Sequence, residues 1–340
     1  MAQPTERRRT TPLPRLQTTL ALLIAQAEPV TAHVIYPFVP ALVLRVGITN
    51  GDEKKTGYYA GIIESLFFVT ECLTVYHWGR LSDKIGRWPV LLIGPLGLTL
   101  AMLGFGLSKT FFESTILTPL PPPSSGVVKT LVADFTDDTN LADALTLLSL
   151  AWNVGGTIGP ALGGILSEPA DRWPTIFGGV LFRENPYFLP CATAALFPLI
   201  AFVLCFFFLK ENAQNPNLDS GQQTKELSLY EIVIPNRALQ HTLVCQAFYS
   251  FTHMSPRVDI PLVYSTSILK GGLGLSPYQI GVILAVFGVC NAILQMIVWK
   301  PLLKRMGPKR MFALSYTFHF VKIFVMMLAR IATSNVGYVN

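Results

Sequence analysis

The sequence predicts an all-α protein that crosses a membrane many times. Its 340 residues are 51% hydrophobic and only 14% charged, and their mean hydropathy is +0.46. An ordinary soluble chain carries about 25% charged residues. The apolar residues also fall into runs of about 20, the length that an α-helix needs to cross the hydrocarbon of a bilayer. We therefore expect most of the chain to be surrounded by lipid.

The net charge of +6 does not indicate nucleic acid binding. Its basic residues lie between the apolar runs, a distribution that sets membrane topology. The five cysteines stand singly in apolar stretches without a C-x-x-C pair or a histidine at metal-binding spacing, so we expect neither a metal nor a cofactor. The chain also has no H-E-x-x-H, G-x-S-x-G or G-x-x-x-x-G-K-[ST] motif. An enzyme is therefore not expected.

Eight apolar runs predict sound spanning helices, and a ninth, defective helix is expected as the fourth in the chain. The predicted sound helices cover residues 17–44, 58–78, 90–107, 142–166, 187–209, 239–264, 278–299 and 311–331. The fourth segment holds Pro119, Pro121, Pro122 and Pro123, which cannot sit inside a regular helix. The sequence thus predicts about 8–9 spanning helices.

Four segments follow from this order of helices. We expect a basic tail at 1–16, an N-terminal bundle at 17–209, a polar linker at 210–237 and a partial C-terminal bundle at 238–340. If the fourth segment crosses the membrane, every strongly basic loop lies on one side, which is then the cytosolic side. This predicts an integral, multi-pass protein with a cytosolic N-terminus. Plasma and vacuolar membranes both fit the pattern.

A short basic hinge, W-G-R-L-S-D-K-I-G-R-W-P at residues 78–89, separates the second and third predicted helices. In this hinge Gly79 would let two helix ends approach each other, and Gly86 would permit a positive φ. Asp83 could pair with Arg87 or with a neighbouring helix N-terminus. The alternative is a loop whose charges only keep it in the cytosol.

A second basic loop, P-L-L-K-R-M-G-P-K-R at residues 301–310, occupies the equivalent position after the linker. It falls between the second and third helices of the later bundle, as the hinge does in the earlier one. Equivalent loops on the same side indicate parallel repeats, an arrangement in which two bundles rock about a central site.

The fifth helix contains the glycine-rich run N-V-G-G-T-I-G-P-A-L-G-G. Small residues on a spanning helix let another helix come close, and Pro160 predicts a kink. Such a seam could seal a pathway against proton leak, or it could serve tight packing alone. The glycines concerned are Gly155, Gly156, Gly159, Gly163 and Gly164.

Four ionisable side chains lie within predicted spanning helices. Glu28 and His33 belong to the first helix, and Glu64 and Glu71 are seven residues apart on one face of the second. An ionisable group at membrane depth is costly, and it generally faces a cavity or a partner and marks a substrate or proton pathway. These residues are the candidates for substrate or proton binding. Alternatively, Glu64 and Glu71 only form hydrogen bonds to neighbouring helices.

The run G-R-L-S-D-K-I-G-R resembles the signature loop of the major facilitator superfamily, and W-N-V-G-G-T-I-G-P-A-L-G-G resembles the antiporter motif of its drug:proton exporters. The phrases A-E-P-V and Y-Y-A-G-I-I-E-S-L-F-F are similar to fungal members of that group and to zinc-induced-facilitator-like transporters. The resemblance implies a major-facilitator-like helical bundle. It also implies a gating motif of Gly79, Asp83, Gly86 and Arg87, in which Asp83 helps to latch the two bundles on the cytosolic side.

The resemblance further implies secondary active transport by alternating access, with proton-coupled export of small organic molecules or metal chelates. The expected partners are a small-molecule substrate, protons and the lipid bilayer. Members of this family usually have twelve spanning helices, so the chain is expected to be truncated at its C-terminus. The alternative is a non-transporting relic or interaction subunit that forms oligomers through its incomplete C-terminal bundle.

Overall fold

The computed structural model describes residues 11–49, 52, 55–110, 112–113, 124–137, 139–209, 233–268 and 272–337. All regular secondary structure in these ranges is helical. The first helices are α1 (Arg15–Val34), α2 (Val39–Val46), α3 (Thr56–Ile85), α4 (Arg87–Leu107), α5 (Ser124–Phe135) and α6 (Leu141–Ile165). Three short helices, α7 (Pro169–Arg172), α8 (Pro174–Phe177) and α9 (Val180–Glu184), precede α10 (Phe188–Phe208). Then come α11 (Arg237–Ser265), α12 (Pro277–Leu294), a π-helical turn (Gln295–Trp299) and α13 (Lys300–Gly337).

Five of the described helices are long and apolar enough to cross a membrane. They are α3, α4, α10, α12 and the part of α6 at Asp143–Ile165, and the bent pair of α1 and α2 makes a sixth when it is counted as one span. The prediction of an all-α polytopic membrane protein is thereby confirmed. Helix α11 has the length of a span, but it carries Arg257 and Asp259 and is more polar.

The first predicted helix is broken and not continuous over 17–44. Helix α1 ends at Val34, α2 begins at Val39, and the two axes are bent by 48°. Between them Pro37 supplies no backbone N–H, and the amides of Phe38 and Val39 both donate to the carbonyl of Ile35, at 3.1 and 2.9 Å. Proline therefore explains the break.

The fourth predicted helix is short. Helix α5 has 12 residues and so is about 18 Å long at 1.5 Å per residue, whereas the hydrocarbon is about 30 Å thick. The four prolines that precede it lie outside the described residues.

The predicted basic loops at 78–89 and 301–310 are largely helical, so the loop prediction was wrong. Helix α3 continues to Ile85, and Gly86 alone separates it from α4, with φ 90° and ψ 160°. Within α13, Gly307 is non-helical, with φ 75° and ψ 163°. A single glycine can adopt this conformation, which other residues rarely reach. One residue therefore redirects the chain where a loop was expected.

The described helices divide into two compact units. One comprises Met1–Leu209 with Gly274–Met296, and the other Lys210–Leu273 with Ile297–Asn340. In the first unit α1 packs against α6 and α10, α10 packs against α4, and α12 packs against α6. In the second unit α11 contacts α13, where the rings of Tyr249 and Phe312 lie 6.1 Å apart. The four predicted segments remain a prediction, since residues 210–232 are outside the described ranges.

We expect Gly106→Ala to destabilise the first unit by about 1–3 kcal/mol, the usual cost of inserting an atom into a packed interior. A Cβ at Gly106 would lie 2.8 Å from Cβ of Cys191 and 3.2 Å from Cα of Phe188 on α10. The matched control is Gly97→Ala on the same helix, where a Cβ would meet nothing within 4 Å. The control should leave stability unchanged or raise it by about 0.5–1 kcal/mol. Equilibrium unfolding in mixed micelles measures both, and equal stability of the two variants would contradict the packing of α4 on α10.

Candidate functional site

A small cavity lies between α1, α3 and α4. It offers about 20 Å³ to a water-sized sphere, enough for a water molecule but not for an organic ligand. Its wall is mostly apolar and contains three polar side chains, Thr31, Tyr36 and Glu64. The apolar lining residues are Ala32, Ile35, Phe67, Phe68, Leu98, Ala101, Met102 and Phe105.

Glu64 brings a carboxyl group into this apolar wall. It is only 3% exposed and lies eight residues, or about 12 Å, beyond the start of α3. Across the cavity, the Thr31 hydroxyl donates to the backbone carbonyls of Ala27 and Glu28, at 3.0 and 2.9 Å. Because an ionisable group is costly to bury in an apolar wall, its presence marks this cavity as a candidate site.

His33 is buried on α1 next to two aromatic rings. Its Nδ1 lies 2.7 Å from the carbonyl oxygen of Pro29, so Nδ1 must bear the proton and donate it. Its ring meets Tyr36 edge-on at 5.0 Å between centroids, and it meets Trp152 of α6 at 6.2 Å. One aromatic cluster thus joins α1 to α6 beside the cavity.

The structure places the four predicted binding residues in different environments. Glu28, His33 and Glu64 are buried, with exposures of 1%, 2% and 3%. Glu71 is half-buried and is not among the residues that line the cavity. Only Glu64 of the four contributes to the cavity wall. The roles of all four in binding stay predictions.

The glycines of the predicted antiporter motif lie directly against α1. A Cβ at Gly155 would be 2.6 Å from Cγ of Pro29, and one at Gly159 would be 2.8 Å from the carbonyl oxygen of Val30. A Cβ at Gly163 would collide with the carbonyl group of Val34. These three glycines, spaced by four residues, form one face of α6 on which the backbone of α1 rests.

The same helix contacts α12 through another face. A Cβ at Gly164 would lie 2.5 Å from Cα of Gly281, and a Cβ at Gly281 would lie 2.8 Å from the carbonyl oxygen of the buried Pro160. Gly288 fits against Thr157, and Nδ2 of Asn153 donates to Oε1 of Gln295 at 2.9 Å. Gly156 is half-buried on this helix. Helix α6 is therefore packed closely against α1 on one face and against α12 on another.

The gating residues surround the break at Gly86. Arg87 forms an ion pair with Asp134 of α5 and donates to the carbonyl of Thr130 at 2.9 Å. Asp83 is exposed, and its charge also attracts Arg87. A Cβ at Gly79 would meet nothing within 4 Å, so the predicted close approach at Gly79 is not found among the described residues.

Three residues of this region were not predicted as site residues. Asp134 pairs with Arg87, while Tyr36 and Trp152 surround His33. Two features of the sequence were available as signals: Asp134 lies at the end of the fourth segment, and Trp152 directly precedes the glycine-rich run. Neither signal specifies a partner for Asp134 or Trp152, because their contacts join positions far apart in the sequence.

A second, polar cavity of about 520 Å³ lies at the end of α4 remote from Gly86. Arg45 donates from its guanidinium to the carbonyl oxygen of Arg183 at 3.0 Å, and Lys109 forms a 2.6 Å ion pair with Glu184. The hydrogen bond and the charge of Lys109 lower the pKa of Glu184. Burial raises the pKa of Tyr187, which also lines this cavity. Both ends of the first unit thus carry ionic contacts.

The family model of the Major Facilitator Superfamily matches residues 30–339. The chain is 29% identical over 336 residues to the Major facilitator-type transporter psiT2 of Psilocybe cubensis, covering 86% of this chain and 63% of that protein. It is 31% identical over 284 residues to the Efflux pump azaK of Aspergillus niger, covering 82% and 58%.

The similarity extends to plants. The chain is 28% identical over 322 residues to the Protein ZINC INDUCED FACILITATOR 1 of Arabidopsis thaliana, covering 87% of this chain and 66% of that protein. The aligned regions thus span about 58–66% of these three relatives.

We expect Gly86→Ala to destabilise the first unit by about 1–3 kcal/mol, because φ 90° with ψ 160° is a conformation that only glycine readily adopts. Gly79→Ala is the matched control within the same motif, since Gly79 is helical and has room for a Cβ. It should raise stability by about 0.5–1 kcal/mol or leave it unchanged. Thermal unfolding in detergent compares the two variants. An unaffected Gly86→Ala would show that the strained turn is not needed.

We expect a double-mutant cycle of Arg87→Gln and Asp134→Asn to give a coupling energy of about 0.5–1 kcal/mol, as is usual for a partly exposed ion pair. The coupling should shrink at high salt. Arg87→Gln combined with Glu168→Gln, at the far end of α6, should be additive. Unfolding in micelles measures the free energy of unfolding of all variants. If the effects of Arg87→Gln and Asp134→Asn simply added, the ion pair would be contradicted.

Proposed function

Since the chain belongs to the major facilitator superfamily, with a family match over residues 30–339, we propose that this integral, multi-pass membrane protein is a secondary active transporter that works by alternating access. Proton-coupled antiport is the proposed mode, with export of small organic molecules or metal chelates. The observation that carries this proposal is the burial of Glu28, His33 and Glu64 inside an apolar helical bundle.

Glu64 is the proposed proton carrier. Its carboxyl group lies in a cavity with room for water, which would deliver a proton without admitting an organic molecule in this conformation. A buried carboxyl is more stable when protonated, and a carboxylate becomes favourable when the site opens to water. Opening and closing of the site would then be linked to proton uptake and release.

His33 and Glu28 are the proposed substrate-facing pair on α1. His33 bonds the carbonyl of Pro29 and contacts Trp152, so movement of α1 relative to α6 would reposition its ring. The bend between α1 and α2 lies two residues beyond His33. A bent, proline-containing helix is suited to move during transport, because its backbone is already interrupted there.

The proposed orientation places Arg15, the Gly86 break and the Arg87–Asp134 ion pair on the cytosolic side. Arg80, Lys84 and Arg87 cluster around the break, and such basic clusters are typical of the cytosolic side. The polar cavity near Lys109 would then open to the opposite side. Two relatives are named for efflux or multidrug transport, the Efflux pump azaK and the multidrug transporter mfsB of Aspergillus fumigatus, which favours export as the direction.

The second candidate function is a non-transporting subunit that associates with another membrane protein or with a second copy. The short α5 favours this candidate, because 12 residues do not cross the hydrocarbon as a helix. Proton coupling separates the two candidates, since an interaction subunit has no need of a proton-carrying carboxyl group.

We expect purified protein in proteoliposomes to move the cationic dye ethidium, or zinc citrate as a chelate, when a pH gradient is imposed. Glu64→Gln should lower gradient-driven flux on the order of tenfold, since the amide cannot carry a proton. Asp83→Asn should also slow the flux through the proposed latch. Dye fluorescence and a trapped pH indicator measure cargo and proton movement together.

The matched control is Glu113→Gln, which neutralises an exposed carboxyl group outside the candidate spans and should transport as the unmodified protein does. Flux that persists unchanged in Glu64→Gln would contradict its role as proton carrier. No gradient-dependent flux of either probe, with no further loss on Asp83→Asn, would contradict the transporter proposal and favour the interaction subunit.

A further inference from the structure

Thr11, four residues before α1, is fastened to the turn between α5 and α6. Its hydroxyl donates to Oδ2 of Asp137, and its backbone N–H donates to Oγ1 of Thr139 at 3.2 Å. Nδ2 of Asn140 donates both to the Thr11 hydroxyl at 3.0 Å and to its carbonyl at 3.3 Å. The contact joins residues 126 positions apart and ties the start of α1 to the start of α6.

The turn that receives Thr11 is itself ordered by hydrogen bonds. Asp137 accepts from the backbone N–H of Thr139 at 2.8 Å, and its own N–H donates to Oδ1 of Asn140 at 2.8 Å. The hydrogen bonds from Thr11 and Thr139 lower the pKa of Asp137 to about 2, so the carboxyl group is ionised at neutral pH. The Thr11 hydroxyl proton therefore points at a full negative charge.

The segment around Thr11 has the form of a protein kinase substrate. Thr11–Pro14 has no helix or strand, and Thr11 and Pro12 are exposed. Proline at 12 favours an extended backbone at Thr11, and extended backbone is what a kinase active site accepts. The preceding residues are Arg7, Arg8, Arg9 and Thr10.

We propose that Thr11 is a phosphorylation site for a proline-directed protein kinase and that its phosphorylation detaches the N-terminal segment from the α5–α6 turn. The inference needs the cytosolic N-terminus proposed above but not the transport activity. In the reaction, Oγ1 of Thr11 attacks the γ-phosphorus of ATP, and the bond from that phosphorus to the bridging oxygen breaks. ADP leaves, and the hydroxyl proton passes to the kinase base.

The product cannot keep the contact with Asp137. Phosphorylation removes the hydroxyl proton that Asp137 accepts and adds a charge of about −1.5 to −2 beside an ionised carboxylate. Asp143, in the first turn of α6, adds further negative charge nearby in the sequence. Repulsion replaces attraction, so the segment before α1 leaves the turn. The cytosolic ends of α1 and α6 then lose a direct connection.

The test uses purified full-length protein in detergent micelles, where both membrane faces are accessible, with ATP and a proline-directed kinase. We expect mass spectrometry to locate phosphate on Thr11. Amide hydrogen exchange in a peptide covering residues 136–144 should become about tenfold faster, as expected when hydrogen bonds to a charged group are lost. The kinase should change neither phosphate content nor exchange in Thr11→Ala.

A matched pair of variants separates charge from position. Thr11→Glu should speed exchange of the turn, whereas Thr10→Glu, with the same net charge and an intact Thr11, should not. Phosphate on Thr10 alone would overturn the proposal. The proposal would also be overturned if the kinase phosphorylated a synthetic peptide of residues 5–16 but left the intact protein unmodified. Phosphate on Thr11 with unchanged exchange of the turn would also overturn it. Protease protection of an N-terminal tag in sealed vesicles tests the cytosolic orientation separately.

Discussion

The close contact between the backbone of α1 and the glycine face of α6 is the interaction on which the rest of the first unit depends. Gly155, Gly159 and Gly163 leave no room for a Cβ beside Pro29, Val30 and Val34. Lipid tails are as apolar as the helix surfaces, so helices in a bilayer associate chiefly through such packing. The burial of His33 follows from this contact, because a Cβ at Gly159 would lie 3.1 Å from Cβ of His33.

Helix α6 therefore links features that would otherwise be separate. It supports α1 on one side and contacts α12 at Gly281 on another. The turn between α5 and α6 is fastened to Thr11, while α5 holds Arg87 through Asp134. Glycine packing fixes the middle of the unit, and charged or polar contacts fix the end near Gly86. Polar contacts at the ends are the ones that water, salt or added charge can loosen, whereas backbone packing in the middle is insensitive to them.

Much of the fold and part of the site could be predicted from local sequence. Apolar runs gave most of the membrane-crossing helices, and Gly86 was predicted to permit the positive φ that it has, whereas the break at 35–38 in the first run was not predicted. These features depend on residues adjacent in the chain. Asp83 was expected to pair with Arg87 or with a helix N-terminus, whereas Asp134 forms the ion pair with Arg87. Trp152 beside His33 could not be predicted either, since helical periodicity does not determine which faces meet.

The two basic stretches, on which the prediction of an internal repeat rests, share a backbone feature. Gly86 and Gly307 have nearly the same backbone angles, φ 90° with ψ 160° and φ 75° with ψ 163°, so the repeated sequence pattern corresponds to a repeated backbone break. The next residue differs, however, because Arg87 follows the first glycine and Pro308 follows the second. Proline has no charge and cannot form the ion pair that Arg87 makes. Both basic stretches therefore share the backbone break, whereas the residue after the glycine can form an ion pair only in the first stretch, where Arg87 pairs with Asp134.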